Sequence, residues 1–153
     1  MKHTISVLVE NKFGVLARIA GLFSARGFNI ESLAVGETED PTVSRMTIVA
    51  EAEDERVLDQ IIKQLHKLID VITVIDLTQK EYINKELAFF KLPKKANIKD
   101  VFKGLPCEVI KTTDNHIIVQ VVGDRSQIHE VIERFKEIGI TELVRTGVIA
   151  VAV

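Results

Sequence analysis

Tryptophan is absent from this chain, and tyrosine and cysteine occur once each, as Tyr82 and Cys107. Large aromatic binding surfaces are therefore scarce. A single cysteine excludes an internal disulfide and fits a reducing compartment. No apolar run is long enough to cross a bilayer, and the first residues lack the apolar core of a secretory signal, so a cytoplasmic location is expected. Basic runs are missing too. Lys and Arg number 20 against 22 Asp and Glu, a net charge of −2, and nucleic acid is not expected as a partner. His3, His66, His116 and His129 form no ligand spacing with one another or with Cys107, so no metal site is expected. Glu51, Glu53, Asp54 and Glu55 cluster where a helix begins, a place that favours acidic residues through the helix dipole. They suggest no cleft for a catalytic carboxylate pair.

What is present is the composition of an ordinary globular protein, 46% hydrophobic and 27% charged over 153 residues. That length suits one domain or two small ones.

The stretch Val7 to Leu33 organises the rest. Ile5, Val7 and Val9 alternate with Thr4, Ser6 and Leu8 as a strand, with Leu8 adding apolar character to the second face. The strand breaks at Asn11-Lys12-Phe13-Gly14. Val15, Leu16, Ile19, Leu22 and Phe23 then share one side of a helix, and Gly27 suits a left-handed helix end. The first amides of a helix lack internal acceptors, so this turn can take a carboxylate or phosphate, and Gly14 leaves room for close approach. An ordinary turn with an Asn cap is the simpler alternative.

Further strands are expected at Ile30–Gly36, Ser44–Ala52 and Val71–Leu77. Between the last two, Asp54 caps a helix whose Val57, Leu58, Ile61, Ile62, Leu65, Leu68 and Ile69 recur at helical spacing. The order is βαββαβ. The second half repeats it: strand Glu86–Leu92, short helix Ala96–Lys103, strands Cys107–Thr112 and His116–Val122, a helix from Asp124, and strand Ile140–Val144. Ala150–Val153 either extends that strand or packs elsewhere. An offset of 70 carries Ile48, Val49, Asp54, Leu58, Ile61, Leu65 and Val74 onto Ile118, Val119, Asp124, Ile128, Val131, Phe135 and Val144. Apolar meets apolar and cap meets cap, as in two copies of one unit. The expected division is 1–78, a linker at 79–84, and 85–153.

The predicted fold is therefore α+β: two tandem ferredoxin-like βαββαβ units, each an antiparallel sheet under two helices. In the usual order, 4-1-3-2, the second strand is an edge. Ile30–Gly36 is apolar with only Glu31 charged, and such an edge seeks a partner. Either two chains pair there as a homodimer, or the second half covers it. Pairing would bring Asn29 near the other chain's Asn11–Gly14 turn and create a small amino-acid pocket between subunits.

The strings NKFGVLARI, RGFNIESL, DPTVSRMTIV and KQLHKLIDV, within residues 4–76, closely resemble the small regulatory subunits of acetohydroxyacid (acetolactate) synthase, whose N-terminal half is an amino-acid-binding ACT domain. The second half matches in length, arrangement and its closing RTGVIA segment. The resemblance implies a chain without an active site or cofactor of its own. It would activate a large catalytic subunit, which carries thiamine diphosphate, Mg and FAD, and confer feedback inhibition by valine in branched-chain amino acid synthesis. Carried over by position, the effector site comprises Asn11, Phe13, Gly14, Val15 and Leu16 from one chain, with Asn29 and Ile30 from the other. Leu33, Glu37, the Asp40–Ser44 loop and Arg45 are candidate large-subunit contacts on the same grounds, or else hairpin residues that shape the edge. Two other readings fit the same residues. One is a free-standing amino-acid sensor acting on a different enzyme. The other is an acylphosphatase-like hydrolase using Arg18 and Asn29, which the lack of further phosphate-cradling glycines opposes.

Overall fold

The computed structural model describes residues 1–95 and 98–153, which form two compact units: Met1–Ile83 with Val148–Val153, and Asn84–Gly147. In chain order the first unit runs β1 (Lys2–Glu10), α1 (Val15–Ala25), β2 (Asn29–Glu37), β3 (Val43–Glu51), α2 (Glu55–Lys67) and β4 (Val71–Asp76). Its sheet has the order β2-β3-β1-β4, so β2 is an edge, as predicted. All neighbouring strands are antiparallel.

The core lies between this sheet and its two helices. Ile5, Val7, Val9, Met46, Ile48 and Ala50 from the sheet meet Val15, Ile19 and Phe23 of α1 and Leu58, Ile61 and Leu65 of α2. Phe23 packs edge-on against Phe28, with ring centroids 6.1 Å apart. Asp54 caps α2 by accepting the Arg56 N–H, and Gly27 follows α1 with φ +75°. The helix stripe ends sooner than its spacing suggests. α2 stops at Lys67, Leu68 packs on the core from outside the helix, and Ile69 is 94% exposed.

The opposite face of the first sheet is buried too, although it carries Thr4, Ser6 and Thr47. Thr4 Oγ1 and Tyr82 OH share a hydrogen bond of 3.2 Å, and Ser32 Oγ accepts the Val148 N–H at 2.7 Å. The closing segment supplies part of this cover. Val153 N–H donates to the Glu81 carbonyl, and 148–153 counts with the first unit, not with the 85–153 half to which its position assigns it.

The second unit uses β5 (Tyr82–Pro93), α3 (Ile98–Val101), β6 (Cys107–Thr112), β7 (His116–Gly123), α4 (Arg125–Lys136) and β8 (Glu142–Arg145); a last strand, β9 (Ile149–Ala152), follows. Its strand order, β6-β7-β5-β8, repeats that of the first sheet. β5 begins at Tyr82, inside the segment expected to be a linker. The expected start of the third helix, Ala96 and Asn97, lies outside the described residues. Phe90 and Phe135 meet edge-on at 4.9 Å in the second core.

The offset of 70 holds for the helices. Leu58, Ile61 and Leu65 and their counterparts Ile128, Val131 and Phe135 are all buried, and Asp54 and Asp124 both cap. It slips in the strands. Ile48 faces the first core, whereas Val119, not Ile118, faces the second. A strand has period two, so a one-residue difference in phase turns the other face inward.

Candidate functional site

The turn between β1 and α1 is built by backbone bonds to distant segments. Glu10 N–H donates to the Asp70 carbonyl at 2.8 Å, and Asn11 N–H donates to the Thr42 carbonyl at 2.7 Å. Gly14 then adopts φ +83°, ψ −8°, the left-handed region in which an L side chain is strained. It is the N-cap residue of α1, and no side chain caps that helix. Val15 N–H donates weakly to the Lys12 carbonyl at 3.4 Å, and no side chain takes the amides that follow, which leaves them for an outside acceptor.

Asn11 does not act as the helix cap. Its side-chain amide donates to Glu37 Oε1 at 3.2 Å and to the Pro41 carbonyl at 3.0 Å, which ties the turn to the β2–β3 hairpin. Val15 is buried in the core, Leu16 is 43% exposed, and Phe13 projects fully into solvent. Charges around the turn are paired. Lys12 Nζ lies 2.7 Å from Glu10, whose carboxylate raises the lysine pKa by hydrogen bonding and by charge. Arg18 pairs with Asp70.

Asn29 and Ile30 lie elsewhere in the chain. Register pairs Asn29 and Lys2 with Glu51 at one end of the sheet, and Glu10 with Val43 and Glu37 with Ser44 at the other. At about 3.4 Å per residue the ends of β2 are roughly 27 Å apart. Asn29 is exposed beside a surface groove of 550 Å³ that Arg26, Glu51 and Asp54 also line, and Ile30 packs on the core. Of the predicted site, Asn11 to Leu16 therefore come together within one chain. Asn29 and Ile30 do not join them there.

Three side chains at the turn escaped the sequence reading of this site: Glu37, Asp70 and Arg18. Arg18 carried a signal, standing one helical turn after Gly14. Glu37 and Asp70 are brought in by hairpin and strand pairing, which no local pattern announces.

Residues 5–73 match the model of the small-subunit-like ACT domain of acetohydroxyacid synthase, and residues 85–153 match the model described as the small subunit of acetolactate synthase. The chain belongs to the acetolactate synthase small-subunit family. It is 45% identical over 154 residues to a probable acetolactate synthase small subunit of Archaeoglobus fulgidus, covering 98% of this chain and 96% of that one. The acetolactate synthase small subunit of Bacillus subtilis is 40% identical over 156 residues, covering 99% and 91%. The crystal structure of the acetolactate synthase small subunit from Thermotoga maritima superposes with a TM-score of 0.89 at 31% identity, over 100% of this chain and 98% of that one. In this family's terms, the turn described above belongs to the ACT domain. No helix among the described residues is long and apolar enough to cross a membrane.

Proposed function

We propose that this chain is the regulatory subunit of an acetolactate synthase of the cytoplasm. It binds the large catalytic subunit, raises that subunit's activity and transmits feedback inhibition by valine. It performs no chemistry itself; thiamine diphosphate, Mg and FAD belong to the large subunit. The observation that carries this reading is the match of both halves to small-subunit models, with relatives of that name covering nearly the whole chain.

The geometry of the first unit supports a shared effector site. The turn offers uncapped helix amides beside a glycine that leaves space for a carboxylate. Asn29 stands at the far end of an edge strand. Two copies of β2 paired antiparallel about Leu33, its middle residue, would set Asn29 of one chain opposite Glu37 of the other. Glu37 is bonded to Asn11, so the second chain's Asn29 would arrive at the turn. Amides of Gly14 to Leu16 would hold the valine carboxylate, Asn29 its polar end, and Leu16 and Ile30 would pack on the isopropyl group. Phe13 would join through the second chain's surface.

Valine held between two chains senses their orientation. It can shift the complex only by binding the inhibited arrangement more tightly, a coupling typically of about 1–3 kcal/mol. Reconstitution with a large subunit tests the reading. Activity should rise on adding this chain and fall with valine in a saturable way, and the isolated chain should run as a dimer or larger assembly. A large subunit whose activity and valine response are unchanged by this chain would refute it.

A further inference from the structure

Arg18 follows Gly14 by one turn of α1, and its guanidinium folds back over the start of the helix. Asp70 engages Nη2. Nη1 lies 3.9 Å from the point that a Cβ on Gly14 would occupy, the space above the uncapped turn. Among the described residues Nη1 has no acceptor. Asp70 is well anchored: its side chain is 17% exposed and its carbonyl takes the Glu10 N–H. The Arg18 side chain is 53% exposed. One prong of the fork is fixed from behind, and the other opens toward the turn. Lys12, the other cation there, is drawn to Glu10.

We propose that Arg18 is the charged half of the effector-carboxylate site. Nη1 donates to one carboxylate oxygen of an amino acid lying on the first amides of α1, and Asp70 holds the guanidinium in place. This rests on the reading above that an amino acid binds at this turn. A helix terminus contributes only a partial charge that water screens readily, whereas a guanidinium adds a full charge and planar donors that fit a carboxylate. The Asp70 bond restricts the long arginine before the ligand arrives, which lowers the entropy lost on binding. The site so built selects a free α-carboxylate over its neutral amide.

The test is calorimetric titration of the full chain, alone and with the large subunit, using L-valine and L-valinamide. Arg18→Gln should weaken valine by about 10- to 100-fold, the range of a charge-assisted hydrogen bond. Valinamide should change by less than about two-fold, and Arg18→Lys should recover part of the valine affinity. Equal weakening of both ligands, or unchanged valine binding, overturns the proposal. Asp70→Asn keeps the guanidinium but releases it, so it should weaken valine by a smaller factor and spare valinamide. It provides the same discrimination if Arg18→Gln folds poorly. Valine binding lost in Gly14→Asp but retained in Arg18→Gln would refute the role of Arg18 alone. No valine binding by the wild-type chain in either setting would refute the site reading beneath it.

Discussion

Asn11 Nδ2 and Glu37 Oε1 are 3.2 Å apart, and this contact joins the end of β1 to the end of edge strand β2. Asn11 is therefore a positioning residue as the single chain stands. Its bonds are exposed, so Asn11→Ala should cost less than about 1 kcal/mol of stability. It should nonetheless weaken valine inhibition, because the turn loses its tie to the hairpin. Urea unfolding and a valine titration of the reconstituted enzyme would measure the two effects. Full sensitivity to valine would show that the turn keeps its place without this tie.

Gly14 sits at φ +83° with open space where a Cβ would point, apart from Arg18. Gly14→Ala should cost about 1–2 kcal/mol through backbone strain while leaving partial inhibition. Gly14→Asp brings a carboxylate to the place of the ligand's carboxylate and should abolish inhibition. The difference between the two variants in a valine titration separates strain from charge. Equal behaviour would assign the whole effect to strain.

A site shared between chains permits complementation. Gly14→Asp spoils the turn, and Asn29→His spoils the opposite end of β2. In a mixed dimer one site carries both defects and the other carries neither. Randomly reassorted equal mixtures should regain about a quarter of the valine-binding sites, although each variant alone binds poorly. Calorimetry on the mixture reads this directly. No recovery would place the site within one chain.

Val35 lies on the edge strand and is 46% exposed, so the fold tolerates a charge there. In the pairing about Leu33, Val35 faces the second chain's Glu31, so Val35→Glu sets two carboxylates opposite each other and should shift the chain toward monomer. Light scattering at graded concentrations would show the change. A variant with wild-type mass would move the dimer interface away from β2.

Asp124 caps α4. The Gln127 backbone N–H and the Ser126 hydroxyl hold its carboxyl below the ordinary 3.8. A depressed folded-state pKa means that the contribution to stability is present above about pH 4 and is lost as pH falls through the folded value. Asp124→Ala should therefore lower the urea midpoint at pH 6, and the gap to wild type should narrow toward pH 2.5. A gap independent of pH would assign the cap's effect to geometry alone.

Helices and their ends were legible in the sequence because their signals are local. Asp54, Asp124 and Gly27 act within a few residues of where they stand, and Leu58, Ile61 and Leu65 repeat within one element. The same reasoning overreached at Ile69, where spacing continued but the helix did not. The turn at Gly14 was legible because a glycine standing where strand alternation stops and helical spacing starts can take the backbone angles that other residues avoid. The partners of Asn11 were not, since both acceptors lie on the hairpin.

By itself, the amino-acid order determined the element succession, the repeat in the helices and the break between strand and helix at Gly14. These follow from periodicity, capping chemistry and backbone sterics, all of which act over a few residues. Tertiary structure decided which face of β7 turns inward, where Val148–Val153 packs, which groups Asn11 and Arg18 bond, and that Asn29 stands at the far end of the sheet from the turn. Those outcomes depend on register and contact between segments tens of residues apart. A one-residue change of phase or a different neighbour reverses them without altering any local pattern.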